Sequence, residues 1–266
     1  GCILNATPPA PVASRHAIGH MLPTAIFAAL AGALPGRLLA PGADAIWLTV
    51  WRGEAPPFTF TMFQVGGTGA RPTKDGLSAM GFPSGVAGVP AEVVESLTPL
   101  VLRHRALRAD SGGAGRWRGG LGQHTAFANR AGGRWSVSGI VDRTRFPAPG
   151  LRGGRAGAPG EVRLEDGTRP NPKALIELAP DQVVHVDTPG GGGYGDPWER
   201  EPERVLHDVI HGYVTPDAAA RDYGVVVRFT GQPDELVRLP EQWEIDAAAT
   251  AALRARRAPG GGTGPT

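Results

Sequence analysis

Three glycine blocks, within 66–76, 112–122 and 190–195, constrain this chain more than any other feature, because a glycine run loses the most backbone freedom on folding. Such runs persist where backbone must approach backbone or a ligand closely. With 40 Gly and 26 Pro the composition reaches the level that can mark low complexity. Yet apolar segments such as 45–50 and 181–186 lie between the blocks, and 41% of the sequence is hydrophobic. A folded protein of short elements and many turns is therefore expected.

The 27 basic and 25 acidic residues leave a formal charge of +2, and the basic ones are mostly arginines scattered between glycines. The locally basic stretch 103–118 lacks the interleaved aromatics of a single-strand binder, so it reads as a solvated face and no nucleic-acid partner is expected. One cysteine, Cys2, excludes an internal disulfide and suits a reducing compartment, with the cytoplasm the expected location. The most apolar run, 25–34, holds ~10 residues between Pro23 and Pro35, where a membrane span needs ~20. It reads as a buried helix, not an anchor. No leader with an apolar stretch and a small-residue cleavage site opens the chain, so secretion is not expected. The opening on Gly1 is that of the interior of a longer polypeptide, and an upstream part is expected to be missing.

Apolar spacing predicts a helix within 11–34, kinked or started by Pro23. Segments 45–50 and 58–65 read as a hairpin, and 90–97 as a short helix with acid in its first turns. Strands follow at 100–109, 123–129, 135–141, 161–164 and 183–186, with Asp166-Gly167 suited to a tight turn. Segments 202–212 and 216–223 begin with proline, a favourable first helical residue, and Thr215 or Asp217 can cap the second. The fold class is α+β: a β-rich antiparallel middle, helices near the N-terminus and a helical pair towards the C-terminus. Residues 231–266 read as a polar, Ala/Gly/Pro-rich tail with a disordered end.

The block 64–76 is not a nucleotide loop, since Lys74 precedes Asp75-Gly76 instead of closing a Gly-x4-Gly-Lys-Ser/Thr pattern. Its bland reading is a glycine-rich turn. The block 110–122 is either an anion-binding nest with Arg116 and Arg118 as planar donors, or a long turn packed against another subunit. The block 188–198 either presents amides to an anion near a helix start or forms a hinge at Pro197 and Trp198. The pairs His16/His20 and His207/His211 have metal-compatible i, i+4 spacing, but neither has the Glu of His-Glu-x-x-His. A nucleophile elbow is absent, Gly85 after Ser84 being insufficient, and Cys2 has no evident base.

Taken in order, Ile3-Leu4-Asn5 with Arg15, the run from Gly66 to Arg71 with Asp75-Gly76, the run 110–122, and the run 188–197 resemble the hydantoinase B/oxoprolinase family. Val205-Leu206, Asp208-Val209, Val214-Thr215-Pro216 and Tyr223-Gly224-Val225 resemble its closing helices. The family includes N-methylhydantoinase B, the matching part of 5-oxoprolinase and acetone and acetophenone carboxylase subunits. The resemblance implies that 1–230 is the C-terminal part of a hydantoinase B-like domain, and that the function is to serve in the B subunit of an ATP-dependent cyclic-amide hydrolase. ATP would phosphorylate the ring amide and water would open the ring. Two alternatives stand beside it: a carboxylase-type subunit, and a non-catalytic assembly module for the A subunit.

The resemblance further implies that ATP and Mg bind a hydantoinase A-like partner, and that any divalent metal sits on His and Asp residues of the missing N-terminal half. No metal or cofactor ligand is carried onto this chain. Where many relatives have Asn-Thr-Pro before the Glu-rich helix, this sequence has Ala87-Gly88-Val89-Pro90, which tells against a polar role for that loop. Asp75, Asp110, Arg116 and Arg118, charged groups standing in glycine loops, are the candidate substrate or phosphate contacts. Arg118→Ala is expected to reduce turnover without unfolding.

Overall fold

The computed structural model describes residues 1–2, 5–10, 12, 15–44, 46–232, 234–235 and 237–256. Ile3 and Leu4 of the first resemblance block and the end 257–266 lie outside them. Two four-stranded antiparallel sheets form the middle of the molecule. One has the order β2 (Pro57–Gln64), β1 (Trp47–Glu54), β5 (Trp135–Ile140), β7 (Ile176–Leu178). The other has the order β3 (Leu100–Leu107), β4 (Gln123–Asn129), β8 (Val184–Asp187), β6 (Glu161–Leu164). Alternation along β1 buries Trp47, Thr49 and Trp51 and turns Arg52 and Glu54 outward.

The sheets close on one core. Trp51 lies 4.4 Å from Phe127 of the opposite sheet and 5.8 Å from Trp135, and Gln64 Nε2 donates across the sheets to Thr125 Oγ1 at 2.7 Å. Helix α2 (Ala91–Leu97) contributes Val94 to the same core. A second, smaller core lies beneath α3 (Pro202–Ile210), α4 (Pro216–Tyr223) and the β9–β10 ribbon (Val227–Phe229 with Trp243–Ile245). Thr215 caps α4, its side chain accepting from the Ala218 amide, and Gly224 ends it at φ 64°, a conformation that disfavours a side chain.

The predicted α+β class and central antiparallel strands are what the structure has. Three details differ. Helix α1 (Arg15–Leu30) continues past Pro23, which costs the backbone bond from position 23 to the Gly19 carbonyl but does not mark the start of the helix. The β1–β2 turn is only Ala55-Pro56, shorter than the predicted loop. The segment after 231 is not all tail, for it forms β10 and α5 (Ala247–Ala255), the latter capped by Asp246. Among the described residues no helix is long and apolar enough to cross a membrane.

Between the two cores the glycine blocks form a bundle of extended segments. Successive amides of 190–193 donate to different neighbours: Gly190 to the Ala158 carbonyl, Gly191 to Gly120, Gly192 to Pro41 and Gly193 to Arg155, at 2.9–3.1 Å. None of these bonds is internal to the run; each goes to a different neighbouring segment. Positive φ is not the reason for these glycines, since none of the four has it. Space is the reason: a Cβ on Gly67 would stand 1.8 Å from the Gly120 carbonyl oxygen, and one on Gly119 would stand 1.9 Å from that of Gly191.

Candidate functional site

The glycine bundle decides between the alternative readings of its three blocks. In 64–76 the Gly67 amide donates to Pro189, Thr68 to Leu77, Ala70 to Gly192 and Gly76 to Arg118. In 110–122 Gly113 donates to Gly191, Gly119 to Gly113 and Gly120 to Thr68, while the amides of Leu121 and Gly122 are taken by the hydroxyls of Ser78 and Ser111. Amides already bonded to carbonyls and hydroxyls do not cradle an anion. The amides of Gly113 and 116–122, and those of 190–195, are spent on holding the bundle together, which counts against the nest reading of 110–122 and the helix-start reading of 188–198.

The four candidate residues separate into three places. Asp75 and Arg118 meet in a network of four charges with Arg200 and Asp208. Arg200 grips Asp75 with two bonds of 2.8 and 2.9 Å and Asp208 with one of 2.8 Å. Arg118 reaches Asp208 at 3.2 Å, and its amide donates to Asp75 Oδ1 at 2.7 Å. Arg118, Arg200 and Asp208 are all buried. The network is neutral in sum and joins two glycine segments to the turn after 197 and to α3. Arg254 of α5 donates to the carbonyls of Arg200, Tyr223 and Gly224, extending the same junction. Arg118 is therefore a structural cation with no open face. The expectation that Arg118→Ala spares the fold is corrected, since removing one member of a buried ion pair strands the other.

Asp110 holds an element in place. Its backbone is left-handed at φ 58°, and its carboxylate accepts from both the amide and the hydroxyl of Thr215, each at 2.8 Å. It thereby positions the residue that caps α4. Asp110→Ala is expected to cost ~0.5–2 kcal/mol, the range for losing a helix cap, and thermal unfolding would read it as a lower Tm. An unchanged Tm would show that the cap holds unaided.

Arg116, like Asp110, is exposed. It lines a cleft of ≈420 Å³ with Arg152, Trp117, Tyr194, Pro35 and Pro72. Glu199 approaches it only to 3.8 Å, and Arg152 reaches the Ala31 carbonyl at 3.4 Å. With Glu199 also in the lining, two guanidinium groups leave the cleft a net positive charge that suits an anion.

A second cluster is not legible in the sequence as a unit. On α1, His16, His20 and Thr24 follow one another at single-turn spacing. His20 Nε2 lies 2.6 Å from Ser84 Oγ, while Thr24 donates to the buried Asp44 at 2.8 Å. Arg143 pairs with the other Asp44 oxygen at 2.5 Å. Burial pushes the Asp44 carboxyl up, opposed by the Arg143 and Thr24 bonds. Burial and the neighbouring His16 hold His20 below the usual imidazole value, opposed by Asp44. Ser84 and His20 are 64 residues apart, so no local motif announces their contact. Elsewhere the rings of His104, His124 and His185 line up across β3, β4 and β8 at 5.0 and 5.3 Å, and those of His207 and His211 stack at 4.0 Å. Among the described residues no group of three or more His, Cys, Asp or Glu is arranged to hold a metal ion.

The chain is 32% identical over 260 residues to the caprolactamase subunit beta of Pseudomonas jessenii, covering 88% of this chain and 43% of that one. It is 30% identical over 230 residues to the acetone carboxylase alpha subunit of Xanthobacter autotrophicus (strain ATCC BAA-1158 / Py2), covering 71% and 28%. The crystal structure of ATP-dependent caprolactamase from Pseudomonas jessenii is similar with a TM-score of 0.72 and 28% identity, over 94% of this chain and 44% of that chain. The chain thus spans less than half the length of these relatives. The hydantoinase B/oxoprolinase model matches residues 1–197, and its match takes in all three glycine blocks. The chain belongs to the hydantoinase B/oxoprolinase family.

Proposed function

We propose that this chain serves within the B subunit of an ATP-dependent cyclic-amide hydrolase that opens a lactam or hydantoin ring. The supporting observation is the extent of the likeness: the caprolactamase structure aligns over 94% of the chain at a TM-score of 0.72, against 82% and 0.64 for nucleotide-free acetone carboxylase. ATP and Mg would bind a hydantoinase A-like partner. An unstrained ring amide is a poor electrophile, and phosphorylating its oxygen supplies a leaving group that water can displace. Such an intermediate carries a negatively charged, tetrahedral phosphoryl group, and the Arg116 and Arg152 guanidinium groups in the cleft have the charge to receive it.

The test uses the protein that carries this chain, co-expressed with its hydantoinase A-like neighbour. ATP hydrolysis is followed with caprolactam, 5-oxoproline, hydantoins, acetone and acetophenone, each with and without bicarbonate. Stimulation by a ring without bicarbonate supports the hydrolase reading. Strict bicarbonate dependence moves the protein to the carboxylase reading, which the acetone carboxylase likeness favours, and no stimulation by any ring or ketone leaves the assembly role. In the same assay Arg116→Ala is expected to lower ring-stimulated turnover about tenfold or more, the loss of a hydrogen bond to a charged group worth ~1.5–3 kcal/mol, with an unchanged Tm. Full activity in that variant would remove Arg116 from the site.

A further inference from the structure

Ser84 is exposed on the loop after β2, while the imidazole it touches, His20, is only 7% exposed. The 2.6 Å contact between them therefore sets a solvent-facing hydroxyl against a buried base. The surroundings carry two marks of a site. Asp44 and Arg143, which pair with each other beside His20, both hold left-handed backbone at φ 57° and 56°. Strain of this kind persists only where packing over-determines it, and it gathers at functional sites. His16 Nε2, His20 Nδ1 and Arg143 Nε are all buried without a hydrogen-bond partner, although buried polar atoms are nearly always paired.

We propose that Ser84 is a nucleophile and His20 its general base, forming a reactive centre for activated acyl groups. Ser84 Oγ bonds to the acyl carbon as the bond from that carbon to its leaving group breaks. The hydroxyl proton passes to His20 Nε2, which returns it to the departing group. Water then repeats the step with Ser84 Oγ as the leaving atom. To accept the serine proton the ring must carry its own proton on Nδ1, and Nδ1 has no partner that would lock the opposite tautomer. The oxygens of Asp44 are engaged by Thr24, Gly42 and Arg143, so the carboxylate favours the imidazolium through its field and the arrangement is a dyad. Burial and the neighbouring His16 hold the ring below its ordinary imidazole value, which favours the neutral form a base requires. The groups facing it are His16 and Thr24 on its own helix, Ser84, Asp44 and Arg143.

The experiment treats the 266-residue chain with an alkyl fluorophosphonate and maps the adduct by peptide mass spectrometry. This chemistry needs neither ATP nor a partner, so its outcome is separate from that of the hydrolase assay. A single adduct on Ser84, absent in Ser84→Ala and formed about 10²–10⁴ times more slowly in His20→Gln, is expected. Because His20 is buried, the unaltered chain supplies a second readout that does not depend on the variant folding. Its labelling rate should rise through an inflection below pH 6.5, the ordinary imidazole value, and be level above it. No adduct on Ser84, full-rate labelling in folded His20→Gln, or a rate still climbing at pH 9 as for an unassisted hydroxyl would each overturn the proposal.

Discussion

Arg200→Ala is expected to lower the unfolding free energy by ~3–5 kcal/mol, the cost of breaking a buried ion pair from one side. Arg200 is 2% exposed and supplies three of the charged hydrogen bonds that hold Asp75 and Asp208. Without it, Asp208 keeps only Arg118 as a cationic partner, and Asp75 keeps only the Arg118 amide. The comparison variant is Arg228→Ala, which removes surface pairs with Glu244 and Asp246 and should cost about 1 kcal/mol or less. Urea unfolding of the two variants against the unaltered chain separates these magnitudes.

The pH dependence gives a second reading of the same network. Burial by itself would raise the Asp75 carboxyl, but the Arg200 bonds and the Arg118 charge outweigh it and hold the group below its ordinary 3.8. A carboxyl lowered in the folded state stabilises fully above that ordinary value, and the contribution fades as pH falls through the lower folded value. The unaltered chain should therefore lose stability in acid more steeply than Arg200→Ala, whose Asp75 has lost its main partner. Equal stability of the two chains near neutral pH would mean that the four charges contribute nothing to holding the cores together.

Elements whose signal is local are legible in the amino-acid order alone. Helix α4 is one, with Thr215 before it, Pro216 at its first position and Gly224 after it; the β1–β2 hairpin is another, with apolar runs on either side of a proline-containing turn. Strands β7, β9 and β10 have only three residues each, too few for alternation to register. Helix α5 hides in its composition, because its alanines match those of a tail, although Asp246 marks its start. The candidate residues are obscured for a different reason. A charge in a glycine loop looks available until its partner is known, and Arg118 finds Asp208 across 90 residues, as Asp75 finds Arg200 across 125. Arg116 differs in being exposed on a cleft, where its pair with Glu199 is long, at 3.8 Å.

Gly191→Ala is expected to prevent folding, or to destabilise the chain beyond the ~1–3 kcal/mol usual for one extra buried methyl group. The added Cβ would lie 1.9 Å from the Thr68 carbonyl oxygen, 2.3 Å from its carbon and 2.8 Å from the Gly69 amide nitrogen. All three neighbours are backbone, so no side chain can swing aside. Thr68 and Gly69 cannot retreat either: the Thr68 amide is bonded to Leu77 and its carbonyl to Gly120, while Gly120 also accepts from the Gly191 amide itself. A displacement at one contact is thus transmitted to two further segments of the bundle. Gly88→Ala is the matched control, since a Cβ there meets nothing within 4 Å and its φ is not positive. That change should be neutral or stabilise by ~0.4–1 kcal/mol through the unfolded chain. Circular dichroism and urea unfolding of both variants decide the matter. A Gly191→Ala chain as stable as the control would mean that the glycine segments are loosely packed and that their composition answers to some need other than close backbone approach.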